Sequence, residues 1–391
     1  MVKSTGNDSQ LKRLQQLSIV TLLFTVIVIG VGAFTRLTDS GLGCPDWPGC
    51  YGQITVPSTQ EAIDTSKPLY QRPLEQAKAW AEMIHRYLAS ALGLFILGIA
   101  FQAWRAREQV SLKIPLFMVA LVCFQGALGM WTVTLGLLPI IVMGHLLGGF
   151  LLASSLLIWN LKLRAPANRS LAADASLPNQ QPQQPKQSGR TAPLKHATRV
   201  GIVLVAIQIA LGGWTAANYA ATVCTELPIC QSGWAEMFTL EEALTLHVRG
   251  VSDYEFAPHL STQAKISIHV KHRIGAIVVT VFLTWLILAL WRSNAIASAR
   301  RQVKMLAAVL VAQIALGVSN VVFMLPIAVA VSHNLMGLAL LLTLLGIHER
   351  FPFSARHFAG AFPWTMSLTP KLGAKTPQTT STQPHSTTTS N

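Results

Sequence analysis

Apolar residues along this chain come in long unbroken runs, not in alternating or short amphipathic patterns. Eight runs stand out: Leu17–Thr35, Trp80–Trp104, Ile114–Thr134, Leu138–Leu161, Val200–Tyr219, Val270–Trp291, Met305–Leu325 and Ile327–Ile347. Each is close to the ~20 residues with which a helix crosses the hydrocarbon core of a bilayer. Strands of a membrane barrel would alternate apolar and polar positions, and these runs do not, so helices are the spanning element. The pattern predicts an all-α, polytopic membrane protein with eight transmembrane helices.

Composition sharpens this picture. Of 391 residues, 51% are hydrophobic and only 12% charged. Soluble domains carry about 25% charged residues, so a soluble enzyme is excluded. The net charge of +14 raises the question of nucleic acid. The basic residues, however, fall in the segments between apolar runs and on one side of an eight-span topology. They are Lys3, Lys12 and Arg13, then Arg105, Arg107 and Lys113, then Lys162, Arg164, Arg169, Lys186, Arg190, Lys195 and Arg199. Arg292, Arg300, Arg301 and Lys304 follow, and finally Arg350 and Arg356. The other side carries Asp39, Asp46, Glu61, Asp64 and Glu75 in one loop, and Glu226, Glu236, Glu241, Glu242, Asp253 and Glu255 in another. This positive-inside asymmetry places both termini in the cytoplasm and the partner of the basic residues at the lipid bilayer, with no nucleic acid expected. No small-residue cleavage site follows the first run, so it reads as a retained span and not as a signal peptide.

The expected organisation is a cytoplasmic N-terminus over 1–16, a four-helix unit over 17–164, and a Pro/Gln/Ser/Ala-rich cytoplasmic linker over 165–195. A second four-helix unit covers 196–350, and a Ser/Thr/Pro-rich disordered tail covers 351–391. The two units repeat one another at an offset of 180 to 188 residues. Phe34-Thr35 with Cys44 and Cys50 matches Trp214-Thr215 with Cys224 and Cys230. His85-Arg86 matches His272-Arg273, Gln125 to Gly129 matches Gln313 to Gly317, and Leu138-Pro139 with His145 matches Leu325-Pro326 with His333. Four spans per unit is an even number, so the units enter from the same side and form a parallel repeat of two four-helix bundles. Inverted repeats need an odd number.

The cysteine pairs Cys44–Cys50 and Cys224–Cys230 fall in the outer loops, where an oxidising compartment favours disulfides; a redox relay is the alternative. Cys123 lies mid-span and reads as a small core residue.

His85, His145, His272 and His333 all lie within apolar runs, three to seven residues from the outer end of even-numbered spans. An ionisable side chain in hydrocarbon is costly and faces the bundle interior for a purpose. Two histidines on facing helices of a four-helix bundle can supply both axial ligands of a heme iron. A hydrogen-bonded core histidine and a proton relay are the alternatives. Arg86 and Arg273 directly follow two of the histidines. They read equally as partners of heme propionates or as side chains snorkelling to the headgroups.

The repeat is not symmetric in its polar residues. Glu82 stands one turn before His85 on the same helix face, where the second unit has His269. Arg36 and Asp39 occupy positions held by Ala216 and Tyr219. A carboxyl beside a heme ligand can move protons or stabilise developing positive charge. This points to the first unit as the reacting half, with a merely interfacial glutamate as the alternative.

At these residues the chain resembles the heme A synthase family. The resembling blocks are Gly32 to Thr38 with Ser40-Gly41-Leu42 and Cys44 through Cys50, Glu82-Met83-Ile84-His85-Arg86, Gln125 to Gly129, His145 to Gly149, Lys271-His272-Arg273 and His333-Asn334-Leu335, spread over residues 15–350. The resemblance implies an oxidoreductase that converts heme O to heme A, two hydroxylations of a ring methyl being followed by loss of water. It implies a heme b cofactor on His272 and His333 and substrate heme O on His85 and His145. It also implies roles for Glu82 and for the Cys44–Cys50 pair, and leaves Cys224–Cys230 as a structural staple. It further implies a bacterial inner membrane location, with heme O synthase and an electron-transfer protein as partners; a homo-oligomer stays open. The rival reading is a bis-histidine diheme cytochrome b transferring electrons from quinol, which would need no asymmetry. A transporter ranks below both.

Overall fold

A computed structural model describes residues 2–174, 188–246, 260–293 and 299–351. Among these residues the secondary structure is helical, with one isolated β-bridge between Cys50 and Gln53. The long helices are α1 (Val2–Leu37), α2 (Gln76–Arg105), α3 (Lys113–Thr134), α4 (Pro139–Asp174), α5 (Ser188–Ala217), α6 (Thr262–Arg292), α7 (Arg300–Val322) and α8 (Ile327–His348). Each contains a segment long and apolar enough to cross a membrane. Their outer faces expose large apolar side chains, among them Leu23, Leu94, Val281 and Val311. Water would disfavour such a surface, whereas lipid matches it. The chain is a multi-pass, all-helical membrane protein.

Several helices outrun their apolar segments. α2 starts at Gln76, ahead of Trp80, and α6 at Thr262, ahead of Val270, where the Ser261 hydroxyl caps it by accepting from the Ala264 N–H at 3.1 Å. Good helix formers such as Gln76, Ala77 and Lys78 continue the helix outward after the hydrophobic signal has ended. His85 and His272 therefore sit about 14 Å along their helices at 1.5 Å per residue, well inside a rigid element. α4 and α5 likewise extend into the expected linker, to Asp174 and from Ser188. Residues 175–187 and the expected tail beyond Phe351 lie outside the described residues, as do Asp253 and Glu255. Cys123 differs from expectation: it is exposed and not a core residue, on the wall of a cavity between the helices.

In the first half α1 packs on α2 and α4, α2 on α3, and α3 on α4. In the second half α5 packs on α6 and α8, α6 on α7, and α7 on α8. The halves meet where α4 lies against α5 and α8, and where α1 lies against α8. One buried cluster, with Ile96, Ile99, Met118 and Leu156, fills the first half. A second, with Leu283, Leu286, Leu306 and Leu344, fills the other and takes in Phe150 and Ala153 of α4.

Helices α1 and α5 end alike. Asp39 and Tyr219 take the left-handed region, with φ of 51° and 53°. The N–H one residue on reaches back to the last turn, Ser40 to the Thr35 carbonyl at 2.9 Å and Ala220 to the Thr215 carbonyl at 3.0 Å. This is a helix stop that usually recruits glycine. The two ends touch: Arg36 donates to the Tyr219 hydroxyl at 2.6 Å and to the Ala216 carbonyl at 3.1 Å, with its guanidinium 4.1 Å from the Tyr219 ring centre. Residues that broke the symmetry of the sequence thus bind each other across the interface of the halves.

Candidate functional site

Four of the spanning helices, α2, α4, α6 and α8, carry His85, His145, His272 and His333 into the protein interior. One continuous cavity of about 1700 Å³, lined mostly by apolar side chains, reaches all four. That is larger than the ~300–1,000 Å³ of a usual small-molecule site, as two bulky ligands or one with a long tail would need.

In the first half the His85 and His145 rings lie with centroids 6.3 Å apart and planes at 86°. Two imidazoles bound to one metal, with nitrogen–metal bonds of about 2 Å and ring centres about 1 Å beyond, would stand about 6 Å apart. The spacing fits a shared iron. In the second half His272 and His333 line the same cavity and lie within electrostatic reach of each other. Among the described residues no group of three or more His, Cys, Asp and Glu side chains is arranged to hold a bare metal ion. Two histidines per site suit a metal whose other ligands come with it, as in a porphyrin.

Each ring is seated against a glycine of a neighbouring helix. A β-carbon built at Gly32 would meet His85 Cε1 at 2.7 Å, and one at Gly212 would meet His272 Cε1 at 3.0 Å. At Gly317 it would meet His333 Cε1 at 3.2 Å, and at Gly129 His145 Cε1 at 3.6 Å. At Gly32 a methyl group would force the ring to move, and at Gly212 and Gly317 the ring would have to give by a few tenths of an ångström. These four glycines are two repeated pairs, 32 with 212 and 129 with 317. Gly32 and Gly129 stand in the resembling blocks, but their role as ring seats was not read from the sequence; their recurrence at the offsets of the repeat was the available signal.

Glu82 is 4% exposed and belongs to a clamp on the first outer loop. Its Oε2 accepts the Cys44 N–H at 2.9 Å, and its Oε1 pairs with Arg86. Arg86 also donates to the loop carbonyls of Asp46 at 2.9 Å, Pro48 at 3.3 Å and Gly49. Cys44 and Cys50 are disulfide-bonded and wholly buried. The loop is further closed by the Asp46 carboxylate, which accepts from the Tyr51 N–H at 2.7 Å, the Gly52 N–H at 2.8 Å and the Tyr70 hydroxyl at 3.1 Å. Burial raises the Tyr51 phenol above its usual range.

The second half repeats the clamp with different chemistry. Arg273 donates to the carbonyls of Cys224 at 2.6 Å and Ile229 at 2.9 Å, and to that of Glu226, across the Cys224–Cys230 disulfide. Where Arg86 pairs with a carboxylate, Arg273 Nε donates to His269 Nε2 at 3.1 Å. Both arginines hold disulfide loops over the mouths of their bundles, a role that neither sequence reading of them included.

Apolar spanning helices around two pairs of cavity-facing histidines, roofed by disulfide-bonded loops, define an integral membrane protein with a large cavity between its helices. Residues 15–345 match the COX15-CtaA family, described as cytochrome oxidase assembly protein, and the chain belongs to that family. It is 44% identical to the heme A synthase of Shewanella oneidensis over 330 residues, covering 84% of this chain and 94% of that one. It is 27% identical to the heme A synthase of Chelativorans sp. over 340 residues, 83% and 86% of the two chains. It is also 27% identical to that of a Bradyrhizobium strain over 363 residues, 88% and 91%.

Proposed function

We propose that this protein makes heme A from heme O, oxidising one ring methyl to a formyl group through two hydroxylations and loss of water from the resulting geminal diol. The observation that carries this reading is the 44% identity to a heme A synthase along nearly the whole of both chains. Heme A biosynthesis by an oxidoreductase acting on heme O within a membrane follows from that relationship. The finer assignment rests on the asymmetry of the halves.

Heme O is the substrate of the first half, between His85 and His145, where the ring spacing suits an iron and Glu82 stands one turn away. Heme b is the cofactor of the second half, on His272 and His333, and when bound supplies one-electron transfer. The glycine seats set the imidazole planes, and the apolar cavity walls exclude water from the macrocycle. Glu82, anchored by Arg86 and the Cys44 N–H, holds a carboxylate beside the substrate ligand, where it can orient the porphyrin or take a proton as charge develops. The two four-helix bundles, 17–164 and 196–350, act as the substrate and cofactor units. The positive-inside pattern supports a bacterial inner membrane location with cytoplasmic termini, and the membrane setting suits delivery of heme O from heme O synthase and exchange with an electron-transfer partner.

The test is pigment analysis of the purified protein from cells with and without a heme O supply. Heme b in both preparations, joined by heme O and heme A only when heme O is supplied, is the expected result. Heme b alone in both would return the diheme cytochrome reading.

A further inference from the structure

Glu82 and His269 hold the same place in the repeat, one turn before the first histidine of each half, and both are buried, 4% and 5% exposed. They treat the arginine that follows that histidine in opposite ways. The Glu82 carboxylate neutralises Arg86. His269 leaves the charge of Arg273 in place. Arg273 is 8% exposed, and its hydrogen-bond partners among the described residues are the carbonyls of Cys224, Glu226 and Ile229 and the Nε2 of His269. None of these carries negative charge. A cation taken out of water without an anion is costly. The second half thus lacks the anion that the first half supplies for itself.

The same hydrogen bond fixes the state of the imidazole. A guanidinium keeps all its protons, so Arg273 Nε only donates, and His269 Nε2, 3.1 Å away, accepts. The ring is therefore neutral and carries its proton on Nδ1. That Nδ1–H is buried and has no partner among the described residues. His269 and Arg273 both line the large cavity, as His272 does. A buried donor polarised by a cation behind it, on a mostly apolar cavity wall, calls for an anionic acceptor.

We propose that His269 and Arg273 form a carboxylate-binding site, in which His269 Nδ1–H donates to a propionate of the heme held in the second half and Arg273 supplies the compensating charge. This deepens the assignment of heme b to that half and rests on it. The propionates are the anionic groups on the rim of a porphyrin, and the site offers one of them both a donor and a positive charge. In the first half the same position carries Glu82, an acceptor that already satisfies its own arginine and would repel a propionate. One position of the repeat therefore decides how each heme is held: by its own carboxylate in the second half, and beside a carboxylate of the protein in the first.

The test uses the full-length holoprotein in detergent and three readouts: heme type by pyridine hemochrome, the propionate bending band in the resonance Raman spectrum, and the rate of heme loss to excess apomyoglobin. His269→Glu copies the Glu82–Arg86 pair, so it should keep Arg273 on its loop and Cys224 and Cys230 protected from alkylation. It offers no donor and sets a carboxylate against the propionate. The expected result is a propionate band moved to lower frequency and heme b loss faster by about 10–100-fold, the worth of a hydrogen bond to a charged group. His269→Gln, whose amide accepts from Arg273 and donates onward, is expected to stay close to wild type. A wild-type band and loss rate in His269→Glu overturn the proposal, and so does a His269→Gln protein as impaired as His269→Glu. His269→Met, which has no donor and adds no charge, replaces His269→Glu in the same comparison if that protein does not fold. If the substitution perturbs heme O or heme A and leaves heme b untouched, the carboxylate site stands and the assignment of the halves fails.

Discussion

The two halves share a plan and differ in what they do with it. In both, a histidine on the second helix and one on the fourth face a cavity, a glycine of a neighbouring helix seats each ring, and an arginine next to the first histidine clamps a disulfide loop. In the first half that arginine is neutralised by Glu82, which also holds the Cys44 N–H. In the second it is bound to His269, and His272 has the Gln208 amide beside it. A carboxylate one turn from His85, with no counterpart beside His272, is what sets the first half apart. The comparison teaches that one plan, two cavity-facing histidines under a disulfide loop, carries different polar residues in each half.

The largest way to break the comparison is to remove a ligand. His272→Ala is expected to abolish bound heme b, and His85→Ala to spare heme b while abolishing heme A formation, read from reduced spectra and pigment extraction. Full heme b in His272→Ala would reverse the halves.

Glu82 comes next. Glu82→Ala should keep heme b and lower heme A formation by at least about 100-fold, the scale of a general acid or base. Glu82→Gln separates roles: it preserves an acceptor for the Cys44 N–H but cannot carry charge or a proton. Near-normal heme A in Glu82→Gln would leave the residue only the task of holding the loop and the porphyrin. Accumulation of a hydroxylated heme would mark the second oxidation as the step that needs the carboxylate.

The glycine seats allow a finer comparison. Gly212→Ala should displace His272 and lower heme b occupancy about tenfold, within the range for disturbed ligand support, and Gly32→Ala should do the same to heme O binding. Gly129→Ala is the control, since a β-carbon there would meet His145 at an ordinary 3.6 Å. An equal effect at Gly129 would show that helix packing, and not ring placement, is what the glycines serve.

The smallest expected effect is at the loops. Both cysteine pairs should resist thiol alkylation until reductant is added, with Cys44 and Cys50, wholly buried, reacting more slowly than the half-exposed Cys230. Labelling of Cys44 and Cys50 in untreated protein would mean that this pair cycles between redox states.

Much of this protein is determined by its sequence alone. Eight apolar runs specify eight spanning helices, because a bilayer offers an unpaired backbone no other solution. Charge between the runs gives an expected orientation, and an intramembrane histidine is conspicuous because it is costly. The pairing of Cys44 with Cys50 was legible because the two lie close in one outer loop. Other features depended on three-dimensional placement. Cys123 looked like core because mid-span position does not say which face of a helix meets packed side chains and which meets a cavity. Arg86 and Arg273 are pinned to loop carbonyls that lie 37 to 49 residues away in sequence. Gln208 is one amide in an apolar run until α5 packs on α6 and brings it to His272. Arg36 and Tyr219 were read as a difference between two halves, and the fold makes them a bond between them. Hydropathy is a property of segments and survives in one dimension. Which side chain supports which ligand depends on helix rotation and crossing, set by close packing of residues far apart in the chain, and only the tertiary structure decides it.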